Sequence, residues 1–300
     1  MNNNLSTGGI FCDLEKTFDC VNHKSLLTKL EFYGITGNHY KLYKSCLMDR
    51  YQRTMLYNEN GHITSSAWSK VEQGVPQGSV LGPLLFLVFI NDLHKFINDK
   101  SVPVLFADVS SILVSHPNPL AFYKTINAVF QTLNAWFKHN LRALNLAKTH
   151  CMKFIFKNNN HLELGINHDN KSVSAISCTR FLGLTVNCTL TWTNHIDLLT
   201  KELSSTCFVI WNIKLYLFLS ASKMIYYSLF HSVMSYGIMF WGKSPHSTVI
   251  FKMQKRVIRI LMGRCYRESC RELFKELKIL TLQSQYIFSL LLFVVLKNIS

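Results

Sequence analysis

The chain has 300 residues, 48% hydrophobic and only 16% charged, a composition that excludes intrinsic disorder and suffices for the cores of one or two domains. Its 32 Lys and Arg against 17 Asp and Glu leave a net charge of +15. The excess is uneven: residues 201–300 hold 14 basic and 4 acidic residues, and from Leu203 to Arg267 nine basic side chains occur without one acid, so this surface attracts polyanions, nucleic acid ahead of anionic membrane.

No apolar run reaches the roughly 18 residues of a membrane span. The longest, Tyr286 to Leu296, is interrupted by Ser289 and has the length of a buried helix. The opening Met-Asn-Asn-Asn-Leu-Ser lacks the basic and apolar regions of a secretion signal. Nine scattered cysteines without a CxxC pair read as reduced thiols of an intracellular protein, with no disulfide-linked partner and no zinc site.

In chain order, Ile10 to Leu14 reads as a buried strand with Asp13 near its end. A helix from about Ser25 carries Leu26, Leu27, Leu30 and Tyr33 on one face and stops at Gly34, and a second fits Asn38 to Asp49. Alternating runs, Tyr51 to Tyr57 and Ile63 to Val71, flank Asn58-Glu59-Asn60-Gly61 as a hairpin. Gly74-Val75-Pro76-Gln77-Gly78-Ser79 then forms a turn that displays Gln77 and leaves Ser79 to cap one long apolar helix reaching Ile97. Val102 to Val114 reads as a tight hairpin with Asp108 and Ser110-Ser111 at its tip, followed by a helix over 120–139. Short strands are expected at 150–156, 161–166 and 178–186, and helices alone after Trp192, so that an α+β domain gives way to a helical one near 190.

Acids are scarce, which makes their placement informative. Asp13 follows Ile10, Phe11 and Cys12; Asp108 sits among Val104, Leu105, Phe106, Ala107 and Val109. A buried carboxylate is costly unless paired, protonated or on a metal. Read singly, each Asp caps or turns a strand end; what shifts that reading is their order relative to the glycine-rich turn between them.

Three elements in this order resemble the reverse transcriptase domain of LINE-type retrotransposons, the class without long terminal repeats. They are Phe11-Cys12-Asp13-Leu14-Glu15-Lys16-Thr17-Phe18-Asp19-Cys20-Val21-Asn22-His23, Gly74-Val75-Pro76-Gln77-Gly78-Ser79-Val80-Leu81-Gly82-Pro83 with Asn91-Asp92-Leu93, and Phe106-Ala107-Asp108. Trp136 with Asn140, Leu144-Asn145 and Lys148-Thr149 is similar to the family's next motif, and Phe181-Leu182-Gly183 with Leu190-Thr191-Trp192 to the one after it. Ser235-Tyr236-Gly237 and Gln254-Lys255-Arg256 extend the resemblance downstream.

The resemblance implies an α+β right-hand polymerase: a palm with an antiparallel sheet, helices and partial fingers over 1–190, then an all-helical thumb and basic C-terminal region over 191–300, with most of the fingers missing. It implies attack of a DNA primer 3′-hydroxyl on a deoxynucleoside triphosphate, directed by an RNA template, in the nucleus or cytoplasm, with two Mg²⁺ ions or Mn²⁺ in their place. Asp13 and Asp108 match the metal ligands, and the carbonyl of Leu14 assists. Phe18 matches the aromatic beneath the sugar, Gln77 and Gly78 the residues near the incoming nucleotide, and Lys148 a lysine that protonates the leaving pyrophosphate. Phe181, Leu182 and Gly183 match a primer contact. Each has a plainer alternative: Phe18 as core, Lys148 as a solvated lysine, residues 181–183 as an ordinary strand.

Independently of the resemblance, Lys252, Lys255, Arg256 and Arg259 share one helical face and read as a phosphate-tracking surface or as a solvated face. Val109 stands where the family has a second Asp, and Asp13 has only 12 residues before it where the family has upstream fingers. Two readings follow: a polymerase domain impaired in this copy, or a catalytically dead nucleic-acid-binding remnant of the same fold.

Overall fold

The computed structural model describes residues 5–13, 18–58, 61–76, 78–97, 101–106, 109–140, 148–155, 165–168 and 171–299. The chain divides into two compact units, Met1–Ser177 and Cys178–Ser300, so the division falls ahead of the 178–187 segment rather than near 190.

The first unit is built on β1 (Ser6–Asp13), which starts earlier than its apolar run because Gly8 and Gly9 lie inside the strand. Ile10 and Cys12 are buried on one side of its pleat, and β1 is central in a six-stranded sheet. The helices α1 (His23–Phe32) and α2 (Gly37–Leu47) follow. Asn22 caps α1 by accepting the Ser25 amide at 3.0 Å.

The expected hairpin is a ribbon of two short ladders, β2 (Tyr51–Gln52) with β5 (Ser69–Lys70) and β3 (Met55–Tyr57) with β4 (Ile63–Ser65). Every described residue of the ribbon is exposed, including Tyr51, Tyr57 and Trp68, and Arg53 lies over the Trp68 ring at 4.8 Å.

The apolar segment that follows is two helices, α3 (Leu81–Ile90) and α4 (Leu93–Phe96), not one. Next come β6 (Ser101–Phe106), β7 (Val109–His116), α5 (Pro119–His139), β8 (His150–Phe154), β9 (Ile166–His168) and β10 (Lys171–Ala175). The sheet order is β6-β7-β1-β8-β10-β9, antiparallel except between β8 and β10. Ser110 and Ser111 belong to β7 rather than to the hairpin tip, and Ser111 is buried. The strand expected over 161–166 falls largely outside the described residues. Phe122, Ile126, Val129, Phe130, Leu133 and Phe137 recur at helical spacing along α5 and share one core with Ile10, Ile112, Val114 and Cys151 of the sheet. Each such side chain contributes about 2 kcal/mol by leaving water.

α1, α3 and α5 are joined by one cation. Lys29 Nζ donates to the Phe89 carbonyl at 2.6 Å, to Asp92 Oδ1 at 2.9 Å and to Asn140 Oδ1 at 3.1 Å. It also lies 4.5 Å from the Phe89 ring centroid and 5.0 Å from that of Trp136. Asp92 and Trp136, read above as family motif residues, therefore have a structural use in this brace.

The second unit opens with a hairpin, β11 (Cys178–Phe181) and β12 (Leu184–Asn187), followed by helices only: α6 (Thr193–Ile213), a 3₁₀ turn at Lys214–Tyr216, and α7 (Leu219–Ile225) running through a π-helical stretch at Tyr226–His231 into α8 (Ser232–Ser235). The last four are α9 (Ile238–Trp241), α10 (Ser247–Met262), α11 (Arg271–Leu277) and α12 (Leu282–Ile299). Leu203, Ile210, Tyr226, Phe230, Trp241, Ile250 and Val257 lie in its core. Among the described residues no single helix is long and apolar enough to cross a membrane; α11 and the stretch Leu282–Asn298 meet that requirement only as a pair bent by 51°. No disulfide joins any of the nine cysteines, all of which lie among the described residues.

Replacing Lys29 by Ala should remove the counter-charge of Asp92 and strand the Asn140 and Phe89 acceptors, at a cost of about 3 kcal/mol. The urea midpoint of the Lys29→Ala variant measures it; a midpoint equal to wild type would show that the brace is not needed for folding.

Candidate active site

The end of β1 sets the geometry. The ladder with β7 closes with Asp13 opposite Val109, and the ladder between β6 and β7 closes with Phe106 opposite Val109. Only residues 107 and 108 connect the two strands, so position 108 is adjacent in the chain to the residue that faces Asp13. On the other flank of β1, Phe11 pairs with His150 of β8, which puts Lys148, two residues ahead of His150, level with Asp13. Register alone thus sets Val109 opposite Asp13, with Lys148 on the other flank, at one end of the sheet. Asp108, Gln77 and Leu14 lie outside the described residues.

Cys12, next to Asp13, is buried, and burial pushes its thiol up to about 12 against the opposing effect of a hydrogen bond with Thr149. It is a neutral packing group and no nucleophile.

Phe18 is half-buried and packs on Phe86 of α3, ring centroids 5.3 Å apart, so its core alternative holds at least in part. The segment after it carries the glycine turn. Val75 N donates to Phe18 O at 2.7 Å, Gly74 N to Val21 O at 2.8 Å, and His23 Nε2 lies 2.7 Å from Gly74 O. Ser79 caps α3 as the sequence suggests: its Oγ accepts the Gly82 amide at 3.0 Å and donates to Pro76 O at 2.8 Å. A Cβ on Gly82 would collide with the Pro76 carbonyl oxygen, which explains glycine there. Gly78 is exposed with a φ of +79°. A polar cleft of about 1530 Å³ runs beside this turn, lined among others by Asn22, Lys24, Arg50 and Lys70.

In the second unit, Phe181, Leu182 and Gly183 form a hairpin turn rather than a plain strand. Leu182 and Gly183 have φ of +45° and +79°, the pattern of a tight two-residue turn. Tyr236 Oη donates to Leu182 O at 2.6 Å, and its ring lies against Gly183. At Gly237, φ is +59° and a Cβ would come within 2.7 Å of Leu184, so the Tyr236-Gly237 pair clamps the hairpin.

His195 of α6 is buried near Trp192 and Trp241, with ring centroids 6.2 and 6.0 Å away. Its Nδ1 accepts the Thr185 amide at 3.5 Å.

Of the basic face on α10, Lys252 and Arg256 are exposed. Lys255 lies over Phe251 at 4.4 Å, and Arg259 donates to Glu268 O at 2.8 Å, so these two also serve the unit's own packing. The resemblance named Gln254 downstream without giving it a role. Fully buried, it donates to Tyr226 Oη at 3.0 Å and to Leu280 O at 2.9 Å and accepts the Leu282 amide at 2.9 Å. The available signal was a polar residue inside the apolar stripe Ile250, Val257, Ile258 and Leu261.

The first unit is mixed α/β, with a strand that ends in Asp13 and a glycine loop that Ser79 closes. Residues 1–186 match the family model for reverse transcriptase (RNA-dependent DNA polymerase), and the chain belongs to that family. Among its relatives are two from Drosophila melanogaster, a probable RNA-directed DNA polymerase from transposon BS, 28% identical, and the RNA-directed DNA polymerase from mobile element jockey, 25% identical. They align over 92% and 93% of this chain, which spans 31% of the length of each. A solved telomerase from Candida albicans, in complex with a fragment of telomeric RNA, aligns over 92% of this chain and 51% of its own at 14% identity and a TM-score of 0.45.

Burial lowers the His195 imidazole below its ordinary 6.5, so the folded state keeps it neutral. The unfolded chain gains that proton as pH drops through 6.5, and stability that is full above this value declines below it. The denaturation midpoint of the second unit's core, followed by tryptophan fluorescence, should therefore fall from pH 7 to pH 5. His195→Gln should lose part of that slope; an undiminished slope would assign it to other groups.

Proposed function

We propose that this chain carries out RNA-templated nucleotidyl transfer, attack of a DNA primer 3′-hydroxyl on the α-phosphate of a deoxynucleoside triphosphate, at the end of β1. The observation that carries the reading is the register: Asp13 opposite Val109, one residue past position 108, with Lys148 level on the other flank. Family membership supports the reaction type.

Asp13, Asp108 and the Leu14 carbonyl form a set of hard oxygen donors that suits Mg²⁺, or Mn²⁺ in its place. Bound there, the ions supply charge neutralisation at the attacking and leaving oxygens. Lys148 is assigned the proton for departing pyrophosphate. Phe18, braced by Phe86, and the 74–79 turn with Gln77 and Gly78 are assigned the sugar and base of the incoming nucleotide. Val109 brings no oxygen to the position across from Asp13, so turnover by this sequence should be low.

In this reading the first unit is palm with partial fingers and the second is thumb. The Phe181-Leu182-Gly183 turn meets the primer, and Lys252, Lys255, Arg256 and Arg259 follow the phosphates of the duplex. Work on RNA and DNA places the protein inside the cell.

Primer extension by the purified chain tests the chemistry. Val109→Asp should raise extension about tenfold or more, since each 1.36 kcal/mol of added transition-state stabilisation is tenfold in rate. Asp13→Asn should abolish it in either background. Extension that survives Asp13→Asn would remove the site from the end of β1.

Binding is separable from chemistry. Affinity for a primer–template duplex should fall with rising salt, and replacing the exposed Lys252 and Arg256 by Ala should flatten the log–log slope by about 2, roughly one unit per phosphate contact. An unchanged slope in the folded double variant would place the duplex elsewhere.

A further inference from the structure

We infer that Tyr236 is a positioning residue for the primer: through its hydroxyl it holds the Phe181-Leu182-Gly183 turn in the shape that meets the strand. The inference rests on the polymerase reading and adds to it a residue that acts through the turn rather than on the nucleic acid.

The turn is one that its own sequence does not favour. β11 and β12 pair from Cys178 with Asn187 to Phe181 with Leu184, which leaves Leu182 and Gly183 as a two-residue link. With φ of +45° and +79° both residues lie in the left-handed region, the backbone of a type I′ turn. Such turns are made by Asn-Gly, Asp-Gly or Gly-Gly, since a bulkier side chain is strained at the first position. Here that position is leucine, whose relaxed backbone has the opposite sign of φ. The ladder holds only the residues on either side. Outside it, no main-chain hydrogen bond among the described residues reaches the peptide between Leu182 and Gly183.

Tyr236 supplies the hold. Its Oη donates to Leu182 O at 2.6 Å. Its ring stands 3.0 Å from where a Cβ on Gly183 would lie, so one side chain bonds the first turn residue and covers the second. The next residue, Gly237, brings the main chain against Leu184, which follows the turn. The tyrosine is anchored in its own right: its carbonyl accepts the Trp241 indole N–H at 3.1 Å, and Trp241 is fully buried. Support for the turn thus runs outward from the core of the second unit through Trp241 and Tyr236.

Without the hydroxyl, Leu182 is free to leave the left-handed region. A turn that samples other shapes meets the primer with only part of its population, and the apparent affinity falls by that fraction. Tyr236 is itself 56% exposed, so loss of its hydroxyl uncovers little of the core and separates positioning from folding.

The test uses Tyr236→Phe, which keeps the ring over Gly183 and deletes the donor. Affinity of the full chain is measured for two probes of equal length, a primer–template with a recessed primer 3′ end and a duplex closed at both ends by hairpin loops, with the urea midpoint reporting that the variant is folded. The wild type should prefer the primer–template. Tyr236→Phe should weaken primer–template binding about fivefold, the scale of one net hydrogen bond, and leave closed-duplex affinity within twofold. A residue with a merely structural role would lower both affinities together or neither. Primer–template binding by Tyr236→Phe equal to that of the wild type overturns the inference, as does an equal loss on the two probes. If the wild type binds both probes alike, the chain recognises no primer end; the polymerase reading then fails and the inference falls with it, a result distinct from the two others.

Discussion

A single ammonium group, nearly removed from water, organises the first unit. Burying a lysine is tolerable only if its charge is met and its three N–H bonds are used. At Lys29 both conditions are fulfilled by groups from different elements: a carbonyl at the end of α3, a carboxylate in the bend after it, and an amide just past α5, with two aromatic faces alongside. Beside this cation the apolar segment after Ser79 is interrupted at Asn91-Asp92 and resumes as α4. The same contacts hold α1 and α3 together, and these are the helices whose N-terminal ends carry His23 and Ser79. The placement of the glycine turn thus depends on a charge that takes no part in chemistry.

The second unit solves a different problem, how to hold a short, half-buried hairpin and the loop after it in a strained shape. Leu182, Leu190 and Trp192 all have left-handed backbones, each costing roughly 1 kcal/mol or more for a residue with a side chain. Local bonds offset that cost. Tyr236 takes the Leu182 carbonyl, Asn187 bonds the hydroxyls of Thr189 and Thr191 and accepts the Trp192 amide, and Ser244 donates to Thr191 O. Strain concentrated over so few residues and held from several sides marks a shape that the surrounding structure specifies closely.

Much of this was legible in the sequence where one period dominated. The 3.6-residue spacing of Ile126, Val129, Phe130 and Leu133 announced α5, the Asn22 and Ser79 caps sat where helix-start rules place them, and the alternation from Tyr51 to Val71 announced the ribbon. Legibility ended where a distant partner decided the outcome. Asn91-Asp92 are weak helix formers, but the bond from Lys29, some sixty residues earlier, that meets Asp92 at the break is not visible in the local sequence. Ser111 read as a tip residue, but β7 carries it into the core. The 178–186 run read as strand, whereas its fold as a hairpin depends on a tyrosine more than fifty residues downstream. At the site, the motifs identified the family; they named His23 and Gln254 but gave neither a role, because the bonds these two make, to the Gly74 and Leu280 carbonyls, the Leu282 amide and the Tyr226 hydroxyl, form between segments distant in the chain.

The ribbon of β2 to β5 has a further consequence, for the order in which the molecule comes apart. Its ladders are only two and three residue pairs long, its described residues are all exposed, and its base is tied by the Val71 amide on Arg50 O and by a solvated pair between Lys70 and Asp49. Such a segment draws little from the core, so its opening free energy lies at the low end of the molecule's range. Opening also stops at the base, because the bonds from the Gly74 and Val75 amides to Val21 O and Phe18 O form a separate set. The ribbon's backbone is therefore the first to meet a protease or exchange its amide hydrogens, and it does so as an independent unit while the sheet beneath it stays closed.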